Sequence, residues 1–197
     1  MKNTKLYRNL KKIKFLRNII VRLKHKTFSR NIQKNGLKVI SLLSEAFREK
    51  EIGIALNYGT LLGIYRDKGL IKHDVDIDLI LFKRKESLEK NIQVELARFI
   101  ENYDHRIKSV FFFPKKGLFK LNVLNCMIDI LIVNYDFNSN SYYFLSNQNI
   151  IISDFVKFEA LPNKIYLIPD NVEEILEYHY GPKWSVPDKY AYEFRKK

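Results

Sequence analysis

One run constrains this chain more than any other, because it puts carboxylates at alternate positions of what otherwise reads as a core strand. Asp74, Asp76 and Asp78 interleave with Val75, Ile77 and Leu79, and the apolar residues continue through Ile80, Leu81 and Phe82. Successive strand residues face opposite sides, so Asp76 and Asp78 share one face, roughly 6.5 Å apart. A core strand cannot leave such charges uncompensated, since burying an unpaired carboxylate is costly. A hard divalent cation, Mg²⁺ or Mn²⁺, takes oxygen ligands and keeps positions for water and phosphate. The competing reading is a half-exposed edge strand whose acids are solvated or paired with lysines.

Upstream, the short apolar run Ile52–Leu56 leads into Tyr58-Gly59-Thr60 and then the helix-compatible LLGIYR. Strand, glycine turn and helix start together present free backbone N–H groups and the positive end of a helix dipole, which suits an anion. Thr60 is expected to cap this helix and to bond a phosphate. Arg66 and Lys68 add positive charge before Gly69 turns the chain back. Far downstream, Asp129 stands within MIDILIV, and an acid among such neighbours either caps a buried donor or binds metal.

At these residues the sequence resembles the LicD family of phosphotransferases, whose pattern is close to GTLLGxxRxxGxIxxDxDID. Gly59-Thr60-Leu61-Leu62-Gly63, Arg66, Gly69, Ile71, Asp74 and Asp76-Ile77-Asp78 fit it in order. Cys126-Met127-Ile128-Asp129-Ile130 is similar to the family's later acid-bearing strand, and residues 176–187 (LEYHYGPKWSVP) to its terminal segment, so the resemblance spans residues 37–188. His73 stands where an aromatic is common, Val75 replaces a frequent extra Asp, and no Cys/His cluster for a structural zinc is present. The resemblance implies an α+β fold, a polymerase-β-like nucleotidyltransferase mixed sheet flanked by helices. It further implies transfer of a substituted phosphate such as phosphocholine from a CDP-activated alcohol to a hydroxyl of a cell-surface glycan, of lipopolysaccharide, capsule or teichoic acid type. In that scheme Asp76, Asp78 and Asp129 are the catalytic and metal residues, while Gly59, Thr60, Arg66 and Lys68 meet the donor's phosphates. Two rival functions are a nucleotidyltransferase that leaves the nucleotide on its target and a catalytically idle membrane- or nucleic-acid-associated binding protein.

The formal charge of +13 is carried by the first part of the chain: residues 1–44 hold thirteen Lys and Arg and no acid, and the basic and acidic residues of the remainder balance. A nucleic-acid-binding domain would spread its charge differently, so nucleic acid is an unlikely partner by composition. Over residues 5–24, Leu6, Leu10, Ile13, Leu16, Ile20 and Leu23 recur at steps of three and four among lysines and arginines. This is a basic amphipathic helix, suited to lying on an anionic membrane surface. Residues 1–35 are therefore expected to form a membrane-associating segment that does no chemistry, and 36–197 the catalytic domain. Asn35-Gly36 is expected to end the first helix, with a second over residues 37–50. Further helices are expected over 87–103 and Val172–Tyr180, and strands over Ile107–Phe113, 118–133 and 155–168. Cys126 is the sole cysteine, no apolar run is long enough to span a bilayer, and no signal peptide is evident. The expected location is cytoplasmic, peripheral on the inner face of the membrane.

Overall fold

The computed structural model describes residues 4–48, 52–83, 98, 107–144 and 147–187. The expected helix over 87–103 lies outside the described residues, apart from residue 98. In chain order the elements are α1 (Thr4–Arg48), β1 (Ile52–Leu56), α2 (Tyr58–Asp67), β2 (Asp76–Lys83), β3 (Ile107–Phe113), a 3₁₀ turn (Pro114–Lys116), β4 (Leu118–Val123) and β5 (Cys126–Asp136). They continue as β6 (Ser141–Phe144), β7 (Asn147–Ile152), β8 (Phe155–Leu161), β9 (Lys164–Pro169) and α3 (Val172–Tyr180). The main sheet is ordered β3-β4-β5-β2-β1-β9-β8, with β6 and β7 added beyond the end of β5. It is mixed: β2 runs parallel to β5 and antiparallel to β1, and β1 runs parallel to β9. The chain is thus an α+β protein, a mixed sheet flanked by helices and preceded by a long N-terminal helix.

Period-two alternation decides which face of the sheet is buried. Phe119, Leu121 and Val123 of β4 and Cys126, Ile128 and Ile130 of β5 are buried, whereas Leu118, Lys120, Asn122, Met127, Asp129 and Leu131 on the other face are half-exposed. The hairpin between these strands turns on Leu124 and Asn125, both left-handed at φ 51° and 65°, the backbone a two-residue turn needs to match strand twist. Ile77, Leu79 and Leu81 of β2 join Ile32, Val39, Ile40, Leu43 and Phe47 of α1 in the core. Fully burying each such side chain is worth about 1.5–3 kcal/mol.

The expected break at Asn35-Gly36 does not occur: α1 is one helix of 45 residues. Tertiary contact explains both residues. A Cβ at Gly36 would stand 2.5 Å from Leu70 Cδ1 and 3.5 Å from Ile77 Cδ1, so glycine here permits close approach of the helix rather than ending it. Asn35 Nδ2 donates to the Leu124 carbonyl (3.2 Å), Gln33 Nε2 to that of Ile71 (3.1 Å) and Asn31 Nδ2 to that of Asn125 (3.1 Å). Contacts with the sheet's loops begin already at Ser29, whose hydroxyl donates to the Lys72 carbonyl. A boundary after residue 35 therefore falls inside a continuous helix. Towards the N-terminus Leu23 and Val21 are 60 % and 56 % exposed; the side chains of residues 1–20, including most of the apolar stripe, lie outside the described residues. Among the described residues no helix is long and apolar enough to cross a membrane.

Gly36→Val should lower stability by about 1–3 kcal/mol through overpacking against Leu70 and Ile77, read as a fall in the urea midpoint. An unchanged midpoint would mean that the helix stands off the sheet at this point.

Candidate active site

Strand register assembles the carboxylates. Asp76 and Asp78 share a face of β2, and the parallel pairing with β5 places Asp129 directly beside Asp78. One oxygen from each of the three lies within 4.8 Å of the others. Burial and the charges of Asp76, Asp129 and Asp74 raise the Asp78 carboxyl well above the usual carboxylate range, while the Gly59 N–H that donates to it pulls the other way. Repulsion of this kind, on an all-oxygen donor set, is what a hard divalent cation relieves, so the residues present fit Mg²⁺ or Mn²⁺.

The start of α2 locks this arrangement. Asn57 N–H donates to the Asp78 carbonyl (3.1 Å), and the Asp78 N–H donates to Thr60 Oγ1 (2.9 Å). Thr60 is 1 % exposed, so it holds the aspartate strand from behind. The expected capping role also moves, since Asn57 occupies the N-cap position and Thr60 sits in the first turn. Gly59 lies beside the acids but spends its N–H on Asp78. A Cβ there would stand 2.7 Å from Asp74 Oδ2, so Gly59 keeps room for carboxylates.

A cavity of about 510 Å³ opens next to Asp76 and Asp78, walled by Tyr58, Gly59 and Arg66 of α2, His73 and Asp74 of the preceding loop, and Tyr180, Lys183 and Trp184 at and after the end of α3. Arg66 grips Asp67 through Nε and Nη2 (2.8 and 2.7 Å) and donates from Nη1 to the Trp184 carbonyl (3.1 Å), which fastens the C-terminal segment over the site. Lys68 is not part of this wall. It takes the left-handed position ending α2, donates to the Tyr65 carbonyl (3.1 Å) and lies 4.5 Å over the Phe158 ring. The His179 ring lies 4.3 Å from that of Tyr58, tilted by 47°, and burial lowers its pKa. His25 of α1 also lines the cavity, so the N-terminal segment contributes to the wall it was expected to leave alone.

The structure thus brings Asp76, Asp78, Gly59 and Arg66 together at the cavity, adds Asp129 through the sheet, and leaves Thr60 behind the strand and Lys68 outside. Sequence reasoning did not place Asp74, His73, Lys183, Tyr180 or Trp184 in the site, and missed Lys120. Lys120 pairs with Asp129 across β4 and β5; a two-residue turn at Leu124-Asn125 makes these two positions partners, and that count was open to the sequence.

Residues 51–109 match the family model described as LicD/FKTN/FKRP, nucleotidyltransferase domain, a stretch that holds the glycine turn, Asp76 and Asp78 and ends before Asp129. Over that stretch the chain is similar to the LicD family, which supports a transferase-type enzyme in general. No curated protein matches it.

In metal-free protein the raised Asp78 group opposes folding once it must ionise. Below the ordinary carboxyl range it is protonated in folded and unfolded states alike and the penalty vanishes; as pH rises from there towards its folded pKa, the penalty grows. Asp78→Asn in chelator should therefore raise stability by about 1 kcal/mol or more at pH 7 and by progressively less towards pH 3, measured by denaturant titration. A variant that loses stability at pH 7 would show that the charge is already compensated.

Proposed function

We propose that this protein transfers a substituted phosphate, such as phosphocholine, from a CDP-activated alcohol to a hydroxyl of a cell-surface glycan, on a polymerase-β-like nucleotidyltransferase fold. The observation that carries the reading is the convergence of Asp76, Asp78 and Asp129 within 4.8 Å, with Asp76 and Asp78 lining a cavity that Arg66 and Lys183 also line. Asp76 and Asp78 would hold Mg²⁺ or Mn²⁺, with Asp129 completing the trio. When bound, that ion supplies Lewis-acid polarisation of the diphosphate.

Arg66 and Lys183 neutralise the charge that gathers on the bridging oxygen as the nucleotide departs. Tyr180 and Trp184 give the cavity aromatic walls against which a base or a quaternary ammonium group can lie. Acids and cations lining one cavity would fix the diphosphate, so most of the work is placement and electrostatics.

Incubation with Mg²⁺, a panel of CDP-alcohols and envelope glycan should release CMP and leave a phosphodiester on the glycan. Asp76→Asn should lower turnover by at least about 100-fold. A nucleotide left on the target would place attack at the other phosphorus, and near-normal turnover in the variant would remove Asp76 from the site.

The basic N-terminal helix further supports peripheral attachment to the anionic inner face of the cytoplasmic membrane, at about 1 kcal/mol per Lys or Arg close to that surface. Deleting residues 1–20 should abolish salt-sensitive sedimentation with anionic vesicles and leave the thermal midpoint within a few degrees. Deletion through residue 35 should destabilise the fold, because it removes Ile32 and the bonds made by Ser29, Asn31, Gln33 and Asn35. Equal vesicle binding before and after the shorter deletion would contradict the membrane role.

A further inference from the structure

The catalytic face of the sheet continues past the carboxylates. Register pairs Asp78 with Asp129, Asp129 with Lys120, and Lys120 with Phe111, so these four side chains form one row from β2 to the edge strand β3. The adjacent row pairs Ile80 with Leu131, Leu118 and Phe113. Phe111 is 58 % and Phe113 43 % exposed, and the β4 and β5 residues between them and the acids are half-exposed. None of the residues lining the cavity comes from β3, β4 or β5. The carboxylates therefore have the cavity, which Asp76 and Asp78 line together with Arg66 and Lys183, on one side and the half-exposed platform formed by this face of β3, β4 and β5 on the other.

Three arguments say what the platform takes. In phosphoryl transfer the attacking and leaving oxygens lie roughly in line on opposite sides of phosphorus, so a donor whose nucleotide leaves into the cavity must be attacked from the flank that bears the platform. The platform is poor in charge, since Lys120 is tied to Asp129, so it suits a neutral molecule. Its aromatic faces carry negative quadrupole charge that attracts polarised C–H groups, which a sugar ring presents beside its hydroxyls.

We propose that the open face of β3, β4 and β5 is the acceptor subsite, with Phe111 and Phe113 stacking on a sugar ring of the glycan. This rests on the transfer reading above. Phe111 lies two strand spacings, about 10 Å, from Asp129, further than one pyranose ring reaches. The stacked ring is thus not the one that reacts, and the acceptor is an oligosaccharide or polymer. Its hydroxyl oxygen forms the new bond to phosphorus, the bond from phosphorus to the CMP oxygen breaks with its electron pair staying on CMP, and the hydroxyl proton passes to Asp129.

Two measurements test this. In affinity electrophoresis through gels containing each of a panel of purified envelope polysaccharides, the full-length protein should be retarded by at least one, Phe111→Ser/Phe113→Ser should migrate freely, and Phe111→Tyr should keep the retardation. In steady-state transfer the double variant should raise the KM for that glycan about tenfold or more while the KM for the CDP-alcohol moves little. Both positions are exposed, so circular dichroism and the thermal midpoint should match wild type. Wild-type retardation of the double variant, or no retardation of wild type by any polysaccharide, overturns the proposal. If wild type releases no CMP from any CDP-alcohol, the transfer reading fails, and the electrophoresis still decides whether this face binds glycan.

Discussion

The structure depends on the parallel pairing of β2 with β5. That one register sets Asp78 beside Asp129 and, two residues earlier, Asp76 beside Met127, which concentrates three carboxylates where the sheet would otherwise be closed by apolar side chains. Nothing in the sheet's own hydrogen bonding requires the charges. The surrounding contacts bear the cost: Thr60 and Asn57 fix the backbone of Asp78, Gly59 donates to its carboxyl, and Lys120 pairs with Asp129.

Charge is partitioned by the strands that flank this pair. Towards α2 and α3, Arg66 ties the C-terminal segment to the cavity through the Trp184 carbonyl, so one residue both lines the site and holds its cover. Towards β3 the face is apolar, and its cation is already occupied. In the proposed reading an anion and a neutral partner would meet the carboxylates from different directions, the arrangement an in-line displacement uses.

Much of this was legible in the sequence, for reasons that differ by element. Ile52–Leu56, Ile107–Phe113 and Val172–Tyr180 fall where local pattern places them, because glycine, proline or charge bounds each run. Asp76 and Asp78 follow from period two, and Asp129 from the cost of an acid among apolar neighbours. Asn35-Gly36 misled, since the local signal for a helix end was overridden by packing of Gly36 on Leu70 and Ile77. Thr60 and Lys68 carry the right chemistry for phosphate, yet one is claimed by the Asp78 N–H and the other by the Tyr65 carbonyl and the Phe158 ring. Lys183 and His25 reach the cavity from more than a hundred residues downstream and from a different helix, and no local pattern reports that.

Asp76, Asp78 and Asp129 acting as one cation site is the central claim. Crystals of the full-length protein grown with Mn²⁺ and a CDP-alcohol, measured for anomalous scattering, test it most directly. The account predicts a peak within about 2.5 Å of oxygens from Asp76 and Asp78, with the diphosphate between it and Arg66. A bound nucleotide with no anomalous peak among these aspartates, or with the ion held elsewhere, would contradict it.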